Sequence, residues 1–170
     1  MGGKIYMKAE KLARSGITLS IIILSFILFR GSSSLLGSLI IPLAVYINLY
    51  DFSLGEFLLT ITAATILVAI FFSTQVLFMI VYGFLAYMLS TLVDKNLFMR
   101  MSVLSLTAAL SFFIAIYLTD LFLGTAIQHA LTSLMGGTLL GFFLMVLLEG
   151  MIIGVALSFL GPWLKSRLPG

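Results

Sequence analysis

Apolar residues along this chain fall into long blocks separated by short polar breaks. Six runs can be marked: Ser15–Phe29, Leu35–Tyr50, Phe57–Phe72, Val76–Val93, Met101–Leu118 and Thr138–Leu160. The breaks between them are Arg30–Ser34, Asp51–Glu56, Ser73–Gln75, Asp94–Arg100 and the longer Thr119–Gly137. A helix rises ~1.5 Å per residue, so about 20 apolar residues cross the ~30 Å hydrocarbon core of a bilayer. The last run is long enough on this measure. The first two are short, and the first reaches a full span if its helix begins inside the preceding basic segment, near Lys8. The pattern predicts an all-α fold: a polytopic integral membrane protein with six transmembrane helices in one compact bundle, forming a single transmembrane domain over residues 1–170.

Composition agrees with that reading. The chain is 62% hydrophobic and 9% charged, with a mean hydropathy of +1.26. A soluble domain of this length needs far more polar surface. Six spans with short loops consume nearly all of the 170 residues, leaving no room for a separate soluble domain. The basic start (MGGKIYMKAEKLAR) followed by an apolar run has the layout of a signal peptide, but no small-x-small cleavage pair follows. An uncleaved first helix is therefore expected.

The nine Lys and Arg residues orient the spans. Lys4, Lys8, Lys11 and Arg14 precede the first run, Lys95 and Arg100 separate the fourth and fifth, and Lys165 and Arg167 follow the sixth. With six crossings and both termini cytoplasmic, all but Arg30 lie on the inner side, as the positive-inside rule requires. A five-span count would put the last two basic residues opposite the first four.

Small residues recur at helical spacing. Ala9, Ala13, Gly16 and Ser20 share one face of the first helix, Thr62, Thr65, Ala69 and Ser73 one face of the third, and Gly83, Ala86 and Ser90 one face of the fourth. The last run carries Gly137-x-x-x-Gly141 and Gly150-x-x-x-Gly154, with Ser158 and Gly161 extending the second. At ~100° per residue, Gly141 and Gly150 point in opposite directions, so neighbours are expected on both sides of this helix.

Candidate chemistry is sparse. Glu149 lies about midway along the last run, where an ionised carboxylate costs ~2.5–3.5 kcal/mol on insertion scales. It can serve as a ligand or proton site, as a protonated acid bonded to a neighbouring hydroxyl, or as a contact for a partner subunit. Arg30, Gln75, Asp120, Gln128 and His129 fall on the outer side in the six-span topology and are the candidate substrate-binding residues. Arg30 is a fork of donors suited to an anionic or carbonyl-rich ligand, or a snorkelling residue at the headgroups. Tyr82, Tyr87 and Tyr117 are candidates to stack on a flat ligand. His129 is the single histidine, and no spacing around it suggests a metal site. The Thr119–Gly137 segment is apolar enough to dip into the bilayer or lie on its surface. No Gly-x-Ser-x-Gly, Walker loop, His-Glu-x-x-His or CxxC occurs, and there is no cysteine. No catalytic residues, cofactor or metal are expected, and the chain is not expected to be an enzyme.

The topology, the Ala9-x-x-x-Ala13 spacing near the start of the first helix, and Glu149–Gly154 followed by Lys165-Ser-Arg167 resemble the substrate-capture S components of energy-coupling factor vitamin transporters. That resemblance implies a bundle with cytoplasmic termini that captures a vitamin-like micronutrient from outside. It also implies partners: a transmembrane coupling subunit docking on the first-helix stripe, and two ATPase subunits supplying the work. The expected location is the plasma membrane, as a prokaryotic inner-membrane protein. An MreD-like scaffold in a cell-shape or cell-wall complex is the alternative, with the small-residue faces and Glu149 binding partner helices. A third reading is an intramembrane or lipid-handling enzyme using Glu149 and His129.

Overall fold

The computed structural model describes residues 8–29 and 35–167. Every regular element among them is helical: α1 (Ala9–Leu28), α2 (Leu35–Leu49), α3 (Leu54–Phe71), α4 (Val76–Leu92), α5 (Leu97–Leu123), α6 (Ile127–Leu134) and α7 (Leu139–Lys165), with a 3-10 turn at Ser73–Gln75 joining α3 to α4. α1, α3, α4 with its preceding turn, α5 and α7 are each long and apolar enough to cross a membrane. α2 has 15 residues, about 22 Å at the usual helical rise. It is also packed inside the bundle, against α1, α4 and α7. Its buried residues include Ile41, Pro42, Val45, Tyr46 and Leu49, so neighbouring helices rather than lipid cover much of it.

Helix ends follow from local chemistry. α1 begins at Ala9, inside the basic segment as expected. α3 starts at a capping box in which the Ser53 hydroxyl accepts from the Glu56 amide while Glu56 accepts from the Ser53 amide. Asn96 caps α5 through the Met99 amide at 2.8 Å. α5 then runs five residues beyond the expected Leu118 and stops where Gly124 takes a left-handed φ of 62°. The long connection expected at Thr119–Gly137 is shortened at its start by the longer α5 and holds α6.

The most extensive helix pairing is α5 against α7. A Cβ added at Gly150 would lie 2.5 Å from the Ala109 backbone nitrogen, and one at Gly154 would fall on the backbone of Ser105. These two glycines let the helix backbones touch. Gly161 meets the Leu89 side chain of α4, and Gly83 of α4 meets Ile61 of α3. The other expected glycine face is different. Gly136 and Gly137 have φ of 77° and 75° and form the turn before α7, and Gly141 sits against Met135 and the Thr138 cap of that same turn. Gly137-x-x-x-Gly141 is thus a helix-entry turn and not a helix–helix seam. Left-handed backbone is needed there, which glycine supplies without strain.

α7 also runs past Gly161-Pro162 to Lys165, five residues beyond the expected end. Pro162 has no N–H, so the Ser158 carbonyl one turn earlier loses its helical donor. Arg100, buried at 9% exposure, donates its Nε to that carbonyl at 2.9 Å and its Nη1 to the Val93 and Lys95 carbonyls at 2.8 and 3.1 Å. One guanidinium therefore closes the C-terminal end of α4 and the proline gap of α7. Replacing Arg100 with Met is expected to cost about 3 kcal/mol by orphaning charge-assisted bonds. The loss should be smaller in a Pro162→Ala background, where residue 162 regains an N–H for Ser158. A double-mutant cycle on thermal unfolding in detergent reads this coupling.

Candidate functional site

Three of the five expected substrate-binding residues share one place. Asp120, Gln128 and His129, with Thr125, Thr132 and Leu139, line an open cleft of about 350 Å³ between α5, α6 and the start of α7. Its geometry comes from Asp120. One carboxylate oxygen accepts from the Thr125 hydroxyl and from the Ile127 amide at 2.9 Å, and the other from the Gln128 amide at 2.7 Å. A carboxylate at the N-terminus of a helix satisfies its free amides and complements its dipole. Asp120 therefore holds α6 in place, and its lone pairs are largely committed to the fold. The His129 side chain is on an exposed position, and the Gln128 amide side chain lines the cleft. These two are the groups free to meet a ligand.

The remaining candidates separate. Gln75 sits on the turn before α4, buried, and does not line that cleft; its Oε1 has no hydrogen-bond partner among the described residues. Arg30, with Ser32–Ser34, lies outside the described residues. Tyr82 is not available to stack on a ligand. It is 2% exposed, its hydroxyl pairs with Ser38 of α2 at 3.2 Å, and its ring packs with Phe26 and Phe112 in the core. Tyr87 and Tyr117 are exposed. Glu149 is half-buried on α7, and no hydrogen bond or ion pair to it is found among the described residues. Among the described residues there is no group of His, Cys, Asp and Glu able to hold a metal ion.

The first-helix stripe is a second candidate site, and it faces outward. Ala9, Ala13, Gly16 and Ser20 are all exposed, and a Cβ at Gly16 would meet nothing within 4 Å. Ser15 and Thr18 of α1 point the other way: Ser15 bonds Thr60 of α3 at 3.0 Å, and Thr18 returns to the Arg14 carbonyl at 2.8 Å. Thr62 and Ala69 of α3 are exposed too, as is Ser73 on the turn that follows it. Between the two helices runs an open apolar groove of about 390 Å³ lined by Leu19, Ser20, Ile23, Leu24, Ile27 and Leu67.

An ionic staple fixes the base of this face. Lys11 pairs with Glu56 and Arg14 with Asp51, each at 2.7 Å, tying α1 to the α2–α3 connection. Phe52 lies beneath both cations, 5.0 Å from Lys11 Nζ and 5.5 Å from the Arg14 guanidinium. At the same end of the bundle Lys165 pairs with Asp94 at 2.6 Å, joining the end of α7 to the α4–α5 turn.

Sequence reasoning missed the receiving half of the α5–α7 seam. Its signal was present as Ser105-x-x-x-Ala109, the same small-residue spacing as the glycines it meets. No protein-family model, curated protein or solved structure matches this chain.

The staple carries a pH dependence. The hydrogen bond from Arg14 holds the Asp51 carboxyl below the usual carboxylate range. Its contribution is therefore full above the unfolded value of about 3.9 and is lost as pH falls through the lower folded value. Melting temperature in detergent is expected to drop below about pH 4, with Asp51→Asn removing part of that drop. The pair is partly exposed, so its share is about 1 kcal/mol at most and shrinks in high salt.

Proposed function

We propose that this protein is the membrane-embedded substrate-capture subunit of a micronutrient uptake transporter, taking up a vitamin-like solute and energised by partner ATPase subunits. In this reading the chain crosses the plasma membrane six times, with α2 as the short central crossing. The end that gathers Lys11, Arg14, Lys95, Arg100, Lys165 and Arg167 is cytoplasmic, by the positive-inside rule. The Asp120–His129 cleft then opens outward, where a solute arrives.

The observation that carries the proposal is the uncovered small-residue face of α1, beside an open groove. Small residues matter in a membrane because they let backbones approach, and there is no hydrophobic gain in hydrocarbon to replace that packing. The seams at Gly83, Gly150 and Gly154 are filled by this chain's own helices. The α1 stripe is left for another protein, as a coupling subunit requires. Ligand binding at Gln128 and His129 would draw α6 over the cleft, and the partners would reorient the bundle on ATP hydrolysis.

One observation favours the MreD-like scaffold instead. The Asp120 carboxylate is engaged by α6 and the cleft is open, so the ligand side offers few free polar groups. A vitamin panel in a thermal-shift assay separates the two. Capture predicts that one vitamin raises the melting temperature, that His129→Ala and Gln128→Ala weaken this by about tenfold in concentration, and that Gly16→Leu abolishes co-purification of a transmembrane coupling subunit at unchanged melting temperature. No response across the panel, with cell-wall proteins co-purifying instead, contradicts capture and supports the scaffold.

A further inference from the structure

At the end of the bundle that carries the ionic staple, a cavity of about 90 Å³ opens between α2, α3 and α4. Five aromatic side chains line it: Tyr46 and Tyr50 from the end of α2, Phe52 from the connection, Phe57 from α3 and Tyr87 from α4. Ser90, on the small-residue face of α4, lines it as well. A water needs about 10–15 Å³ of such space, so the cavity has room for roughly six waters or one compact head group.

Three features define what fits. Aromatic faces carry a negative quadrupole and attract cations, most strongly where water is excluded. Two of these rings already do so on this chain: Arg14 lies 5.8 Å from the Tyr50 ring and 5.5 Å from the Phe52 ring, and Lys11 lies 5.0 Å from the Phe52 ring. Neither cation lines the cavity, and both are paired with acids, Lys11 with Glu56 and Arg14 with Asp51. Among the described residues no Lys or Arg lines the cavity, and its wall is mostly aromatic and aliphatic. Phe57 and Tyr87 face each other at 5.9 Å with their rings inclined at 51°, forming a corner of the cage. Finally, Tyr46 is 4% exposed and its hydroxyl has no hydrogen-bond partner among the described residues. Tyr46 lines the cavity, so its hydroxyl is available to a ligand held there.

We infer that this aromatic cage binds the ammonium group of a small organic amine. The rings surround the charge, and the Tyr46 oxygen accepts from an ammonium N–H or a ligand hydroxyl. The group belongs either to a free amine or to the headgroup of an aminophospholipid at this membrane face. The inference does not depend on the transport reading, since the cage shares no residue with the Asp120–His129 cleft.

The test uses the whole protein in maltoside micelles, which carry no ammonium. Choline, ethanolamine and 3,3-dimethyl-1-butanol, the neutral shape-mimic of choline, are titrated while thermal unfolding is followed. A second arm compares nanodiscs of phosphatidylglycerol with and without phosphatidylethanolamine. Saturable stabilisation by choline or ethanolamine, at least about tenfold tighter than by the neutral alcohol, identifies a free amine as ligand. Stabilisation by phosphatidylethanolamine with no response to the free amines identifies the lipid headgroup. In either case Tyr87→Leu, a change at an exposed rim position, and Phe57→Leu must each weaken the effect. Equal response to the neutral alcohol, no response in both arms, or an effect indifferent to both substitutions overturns the inference.

Discussion

The backbone contact between α5 and α7 is the constraint on which the rest of the bundle depends. In hydrocarbon, apolar side chains gain little by leaving lipid for protein, so helices associate through close packing and hydrogen bonds. Gly150 and Gly154 bring α7 onto the backbone of α5 at Ala109 and Ser105. That approach fixes the register of the pair. It brings Ser158 within reach of Arg100 and the end of α7 to Asp94. It also sets α7 beside the buried α2, which packs against α4 as well. The uncovered α1–α3 face and the ionic staple are then built outward from this framework.

A second constraint follows from the bilayer: backbone groups away from water need partners within the protein. The chain departs from regular helix in places and supplies a partner each time. Pro162 frees the Ser158 carbonyl, and Arg100 takes it. α6 starts with free amides, and Asp120 takes two of them. α3 begins at a reciprocal Ser53–Glu56 cap. Arg100, Asp120 and Glu56 act here as closures for the backbone. The exceptions are informative. Gln75 Oε1 is buried without a hydrogen-bond partner among the described residues, and the Tyr46 hydroxyl, also without one, belongs to a side chain that lines a cavity.

Much of the architecture was legible in the sequence because hydrocarbon selects on length and polarity, and both are local properties. The six apolar runs each correspond to a helix, and the start of α1 inside the basic segment was read from span length alone. The glycine seam at Gly150 and Gly154 was visible as spacing. What escaped were properties that depend on partners. Arg100 reads as an inner-side charge until Pro162 is known to pack beside it. Asp120 reads as a ligand group until α6 is seen to need a cap. Tyr82 reads as a stacking platform until Ser38 and Phe112 enclose it. The aromatic cage draws residues from α2, α3, α4 and a loop, and no one-dimensional period joins them.

The central claim is that this fold rests on a backbone-to-backbone seam that tolerates no side chain, while an equivalent-looking stripe on α1 is left open. Thermal or denaturant unfolding of Gly154→Ala beside Gly16→Ala, in the same detergent, tests it most directly. Gly154→Ala should lose about 3 kcal/mol or more by forcing Ser105 away. Gly16→Ala should be neutral, or gain up to about 1 kcal/mol from helix propensity. Equal effects of the two substitutions, or a stable Gly154→Ala protein, would contradict the account.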